Sequence, residues 1–173
     1  MTINFYKYQA TGNDFIIIDC RGVDYVFTKE NISSLCDRKY GVGSDGLMLI
    51  RDNDEVDFEM QFYNPDGSMS FCGNGSRCAV SFCYHNGIIS KECVFLTNDG
   101  VHKARILDYN LVKIDVLGPI KIKSLPNGDF QTDTGSPHYV KFTDHLEDPD
   151  LMKECQLIRY SETYKKEGIN VNM

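Results

Sequence analysis

Cys72 stands immediately before Gly73-Asn74-Gly75, inside the octet Phe71-Cys72-Gly73-Asn74-Gly75-Ser76-Arg77-Cys78. An apolar helical pattern follows through Ala79, Val80, Phe82 and Cys83. That layout predicts a thiol at the first turn of a helix. Backbone N–H groups there have no intrahelical partner, and the positive end of the helix dipole lies beside them. Such a place lowers a thiol's pKa and favours the thiolate. It is also a ready anion site, able to hold a carboxylate beside the sulfur. Reactive sulfur and carboxylate cradle in one turn suit proton chemistry next to a carboxyl group. The competing reading is a packed structural cysteine, because free cysteine commonly behaves as a small hydrophobe. Local spacing does not separate the two.

The elements that must position this thiol are mostly strands. Segments 4–8, 14–19, 47–50, 57–63, 93–97, 101–107, 111–117, 121–123 and 138–142 read as strands. Phe15-Ile16-Ile17-Ile18 is a continuous apolar run, whereas Phe58, Met60 and Phe62 share one face at period two. Turn signals lie at Asn98-Asp99-Gly100 and Pro126-Asn127-Gly128. One helix is predicted from an N-cap at Thr28 through Ile32 and Leu35. A second follows Gly73 and stops near Asn86-Gly87, and a short third covers 148–154. Many strands with few helices predict an α+β fold. Gly41-Val42-Gly43-Ser44-Asp45-Gly46 matches the spacing of a dinucleotide fingerprint. The fingerprint needs a strand before it and a helix after it, and here that order is reversed. A glycine-rich turn lining a pocket is the better reading.

The chain has 173 residues, a net charge of −7 and a hydrophobic content of 42%. That suits one globular domain or two small ones. The acidic balance argues against nucleic acid, which calls for a basic face. No apolar stretch approaches a membrane span, and the first residues lack a signal-peptide core. The expectation is a cytoplasmic protein with no membrane partner. The seven cysteines contain no C-x-x-C pair. Neither a metal centre nor a disulfide framework is therefore expected. A faint repeat relates Thr11-Gly12-Asn13-Asp14-Phe15 to Thr134-Gly135-Ser136-Pro137-His138. Taken at face value, it puts the counterpart of Cys72 beyond Met173.

Taken together, these motifs resemble diaminopimelate epimerases. The resemblance runs through Gly12-Asn13-Asp14-Phe15, then Leu35-Cys36-Asp37-Arg38 into the glycine-rich turn, and Tyr63-Asn64-Pro65-Asp66-Gly67-Ser68. It continues through Cys72-Gly73-Asn74-Gly75, Gly135-Ser136-Pro137-His138 and Gly168-Ile169-Asn170-Val171-Asn172. It implies two pseudo-symmetric α/β halves of mixed and antiparallel strands, each around a central helix. Residues 1–117 would form the first half, and 118–173 the start of an incomplete second. It implies an isomerase that interconverts LL- and meso-diaminopimelate, in the making of lysine and peptidoglycan precursors. No pyridoxal phosphate, other cofactor or metal is implied. Two cysteines would face the α-carbon from opposite sides, one removing a proton and the other returning one, as inversion through a planar carbanion requires.

By position, the resemblance makes Cys72 the first catalytic cysteine. It makes Gly73 and Asn74 the carboxylate cradle, and Asn13, Asn64 and Asn170 amide ligands of substrate. His138 falls beside the catalytic centre. Gly46 stands where some relatives place glutamine, and Ser136 where many have asparagine. Asn13 and Asn64, beside Gly12 and Pro65, equally fit a role in shaping turns. The implied second cysteine has no match, so the chain reads as a fragment. A small-molecule substrate is expected, and a homodimer is compatible. Two alternatives stay open: a non-catalytic carboxylate-binding module, and a related isomerase acting on another amino acid.

Overall fold

Whether a strand is apolar throughout or only at alternate residues shows here which strands are covered on both faces. The structure, a computed structural model, describes residues 2–118 and 120–173. The chain divides into two compact units, Met1–Val116 and Leu117–Met173. The first holds a seven-stranded mixed sheet in sequential order: β1 (Tyr6–Ala10), β2 (Asn13–Asp19), β3 (Gly46–Arg51), β4 (Phe58–Tyr63), β5 (Glu92–Thr97), β6 (Gly100–Asp108) and β7 (Leu111–Ile114). Two neighbouring pairs, β2–β3 and β4–β5, are parallel, and the rest are antiparallel. A parallel pair needs a crossover. Helix α1 (Lys29–Cys36) joins β2 to β3, and α2 (Gly73–His85) joins β4 to β5.

The two helices divide the core. Ile32 and Cys36 of α1 pack with Ile16, Ile18, Leu47 and Leu49. Ala79, Val80, Phe82 and Cys83 of α2 pack with Phe15, Ile17, Met48 and Ile50 on the opposite face. Both faces of β2 and β3 are therefore covered, and that is why their apolar runs are unbroken. Strands β4 to β7 alternate instead, burying Phe58, Met60, Phe62, Cys93, Phe95, Ala104, Ile106, Val112 and Ile114 toward α2. Helix α1 opens with a capping box. Thr28 Oγ1 accepts from Asn31 N at 3.2 Å, and Asn31 Oδ1 accepts from Thr28 N at 3.2 Å. Helix α2 closes with a Schellman turn: Gly87 N donates to Tyr84 O and Ile88 N to Cys83 O. Gly87, at φ +68, supplies the left-handed residue that this turn needs.

The second unit carries a four-stranded sheet ordered β11-β10-β9-β8. Its members are β8 (Ile122–Ser124), β9 (Phe130–Asp133), β10 (Pro137–Val140) and β11 (Asn170–Asn172). The β10–β11 pair is parallel, with α3 (Leu151–Arg159) in the crossover. Tyr139 and Ile169 are buried, and no residue of α3 is. Mixed sheets with three helices among the described residues make the fold α+β, as expected. Strands β9 and β11 carry no strand signal in the sequence, being three or four residues long and mostly polar. No helix among the described residues is long and apolar enough to cross a membrane.

Candidate active site

The thiol sits where the sequence places it. Cys72 is the N-cap of α2, with extended backbone at φ −135 and ψ 106, and its Sγ accepts from Gly75 N at 3.3 Å. Gly73 and Asn74 follow as the first two helical residues. Their N–H groups precede the first intrahelical bond, which Ser76 N makes to Cys72 O at 2.8 Å. Arg77 reaches back to Gly73 O at 3.0 Å. Cys72 is half-buried; its neighbour Phe71 is buried and stacks on His102 with ring centroids 4.8 Å apart.

Protonation differs from the expectation that the helix start lowers the pKa of this thiol. Burial pushes the Cys72 thiol up, and the Gly75 and Asn74 N–H groups, with the charge of Arg77, offset that only in part. No backbone donor opposes burial at Cys78, which is pushed up to about 12. Near neutral pH Cys72 therefore holds its proton. The helix start works as a partial brake on a desolvation effect that the local sequence does not show.

Beside the thiol lies a connected run of side chains. Asn74 Nδ2 donates to Asn13 Oδ1 at 2.8 Å, joining the start of α2 to the start of β2. Asn13 Nδ2 donates to Asp45 Oδ2 at 3.2 Å. Arg38 bridges Asp45 and Asp14 at 2.7 Å each, and Lys7 lies 2.6 Å from Asp14. The Arg38 guanidinium, followed by the Lys7 ammonium, holds the Asp14 carboxyl well below the usual carboxylate range. Asn64 uses its amide in the turn that leads to the thiol. Its Nδ2 donates to Ser68 Oγ and Ser70 Oγ, each at 3.1 Å. Gly46 is buried at the head of β3, and a Cβ there would lie 2.5 Å from the Phe62 ring. It can offer backbone only.

Within the second unit, Ser136 immediately precedes β10, and His138 and Asn170 lie at one end of the β10–β11 pair. His138 and Asn170 are register partners, and Asn170 Nδ2 donates to Pro137 O at 3.3 Å. Asn172 Nδ2 lies 3.1 Å from His138 Nδ1. Among the described residues, no group of three or more His, Cys, Asp or Glu side chains is placed to hold a metal ion.

A family model described as diaminopimelate epimerase matches residues 5–120. The chain is 41% identical over 174 residues to the diaminopimelate epimerase of Flavobacterium psychrophilum, spanning 98% of this chain and 67% of that protein. It is 38% identical to the diaminopimelate epimerase of Aquifex aeolicus, spanning 98% of this chain and 68% of the relative. The chain belongs to the diaminopimelate epimerase family. It spans about two thirds of the length of these relatives. Solved structures show the same fold at low identity. A hydroxyproline epimerase from Agrobacterium vitis aligns at TM-score 0.62 and 13% identity, over 90% of this chain and 58% of its own. A methylitaconate-delta-isomerase aligns at TM-score 0.54 and 14%, over 91% of this chain and 60% of its own.

Sequence reasoning passed over three residues in this diaminopimelate epimerase family chain: Arg38, Asp45 and Asn172. The first two lie in or beside the glycine-rich segment 41–46, which reads only as a turn. Nothing local signals that Asp45 meets Asn13, 32 positions away. Asn172 lies two residues beyond Asn170, on the same face of β11, and period-two alternation is the signal that could have found it.

Proposed function

We propose that this chain carries the first acid–base thiol of an isomerase that inverts one α-carbon of diaminopimelate, interconverting the LL and meso forms. One observation carries the reading: Cys72 caps α2 in the same turn that presents the Gly73 and Asn74 N–H groups. A substrate carboxylate seated on those donors brings its α-carbon toward Sγ. In its ionised form Cys72 takes the α-proton, and the C–H electron pair moves into the carboxylate. The resulting negative charge faces backbone donors that are already oriented, so little reorganisation is needed. Protonation from the opposite face completes inversion, whereas return of the proton from Cys72 restores the starting isomer. The relatives' names and the family match support the substrate assignment.

In this reading Asn13, Asn64 and Asn74 hold the amino and carboxyl groups, and Gly46 takes part through its backbone alone. The chemistry calls for neither pyridoxal phosphate nor metal, the partner is a small amino acid, and the setting is cytoplasmic.

The test is α-hydrogen exchange. The purified protein is incubated with LL-diaminopimelate in deuterated water. Exchange is followed by proton NMR and inversion by chiral separation. Exchange that Cys72→Ala slows by about 10²-fold or more is the expected result. Exchange at an undiminished rate in Cys72→Ala removes Cys72 from the chemistry. Inversion that keeps pace with exchange reports a second acid on the far face. The protonated state of Cys72 favours one rival, a non-catalytic carboxylate-binding module. That rival requires diaminopimelate to bind the unaltered protein with no exchange at any pH up to the thiol's own titration.

A further inference from the structure

Exposed ion pairs add little to stability, typically about 0–1 kcal/mol. Arg38 nevertheless holds two carboxylates at 2.7 Å with its side chain 57% exposed. The geometry around those carboxylates gives the cluster another task. Asp45 Oδ1 is taken by Arg38 Nη2. Asp45 Oδ2 receives two donors, Asp14 N and Asn13 Nδ2, both at 3.2 Å. A carboxylate only accepts, whereas an asparagine amide offers a donor at one end and an acceptor at the other. Facing Asp45, Asn13 must present its NH2 end. Its oxygen is thereby turned to Asn74, which must answer with its own NH2 end, at 2.8 Å. Reversing either amide sets oxygen against oxygen.

We propose that Asp45, locked by Arg38, is a positioning residue that fixes the orientation of the Asn13 and Asn74 amides at the start of α2. The kinetic consequence rests on the function proposed above; the orientation itself does not. Asp45 is well anchored for this task. Its backbone N donates to Asp14 O at 2.8 Å. Arg38 ties its carboxylate to that of Asp14. Lys7 clamps Asp14 from the other side and also donates to Gly43 O at 2.5 Å, in the same loop as Asp45. Two acids and two bases balance, so the anchor adds no net charge beside a site that must receive an anion. A neutral residue at position 45 lacks this directing power. Asparagine there can donate or accept, and each sense selects the opposite orientation of Asn13.

The experiment compares the chain with its Asp45→Asn and Arg38→Gln variants, each 15N-labelled. The readout is the side-chain NH2 resonance pair of Asn74, assigned by its loss in Asn74→Asp. The unaltered chain should show one hydrogen-bonded proton in that pair, with slowed solvent exchange. Asp45→Asn should shift the pair and speed its exchange, with backbone resonances and thermal midpoint unchanged. Arg38→Gln should act in the same direction more weakly. In the exchange assay, Asp45→Asn should lower kcat/KM about tenfold, the worth of one lost hydrogen bond. Unchanged Asn74 resonances in a folded Asp45→Asn variant overturn the proposal. If that variant does not fold, Arg38→Gln decides by the same resonances, because its side chain is largely in solvent. Should Cys72→Ala leave exchange intact, the proposed function fails, while the Asn74 signature still decides the role of Asp45.

Discussion

At the scale of single residues, two effects meet at Cys72 and burial prevails. The Gly75 and Asn74 N–H groups favour a thiolate, and desolvation outweighs them. Alkylation of Cys72 in the folded protein should therefore be slow near neutral pH and climb through and above the ordinary thiol value of 9.0. Among the six cysteines of Met1–Val116, Cys72 should still label first, because Cys20, Cys36, Cys78, Cys83 and Cys93 are all buried. Those five react only as fast as the structure opens. Timed labelling with mass-spectrometric mapping is the check. Faster labelling of Cys78 or Cys83 than of Cys72 would defeat the site assignment. The position of Cys72 is legible in the sequence, because a capping turn is written in consecutive residues. Its protonation is not, because burial depends on strands far away in the chain.

At the scale of elements, the loop after α1 is the part most exposed to error. Gly41 N bonds Asp37 O, Val42 N and Gly43 N both bond Leu35 O, and Ser44 N bonds Cys36 O. The loop thus folds back on the last carbonyls of its own helix and so satisfies acceptors that a helix end leaves open. The fit is close: a Cβ at Gly41 would lie 2.0 Å from Ser34 O and 2.8 Å from Leu35 O. Gly41→Ala must displace backbone, and overpacking of that kind costs about 1–3 kcal/mol. A urea titration should show the lower midpoint. Because the loop carries Asp45, the same variant should disturb the Asn74 amide resonances, whereas a destabilising change in the distant core, such as Phe95→Leu, should not. The segment 41–46 looks like a nucleotide loop in spacing alone. Helix α1 before it and β3 after it give it a different task.

At the scale of the whole molecule, stability should fall at both ends of the pH range for opposite reasons. Burial raises the Cys78 and Cys93 thiols to about 12 in the folded state and raises Cys83 as well. Their folded values lie above the unfolded value of 9.0. The folded state therefore holds these protons more tightly. Their contribution is full below pH 9.0 and is lost as pH rises through the folded values. Asp14 runs the other way. Its folded value lies below 3.8, so its contribution is full above that pH and is lost as pH falls through the folded value. Urea midpoints should be nearly flat between roughly pH 5 and 8 and decline on either side. A midpoint that rises between pH 9 and 11 would contradict the burial of these thiols.

Features dictated by short-range physics were legible in the order of residues alone. The unbroken apolar run Phe15–Ile18 marked a strand. Alternation at Phe58, Met60 and Phe62 announced a half-covered one. Thr28, Cys72 and Asn86-Gly87 marked helix ends, since caps act within a few residues of backbone. Tertiary structure decided what depends on partners distant in the chain. Strands β9 and β11 exist because β10 pairs with them, and their own residues carry almost no β signal. The Asn74–Asn13–Asp45 relay joins positions 61 and 32 residues apart, brought together by the β2–β3 register and the start of α2. The proton on Cys72 was settled by desolvation, a property of the packed unit that no stretch of eight residues possesses.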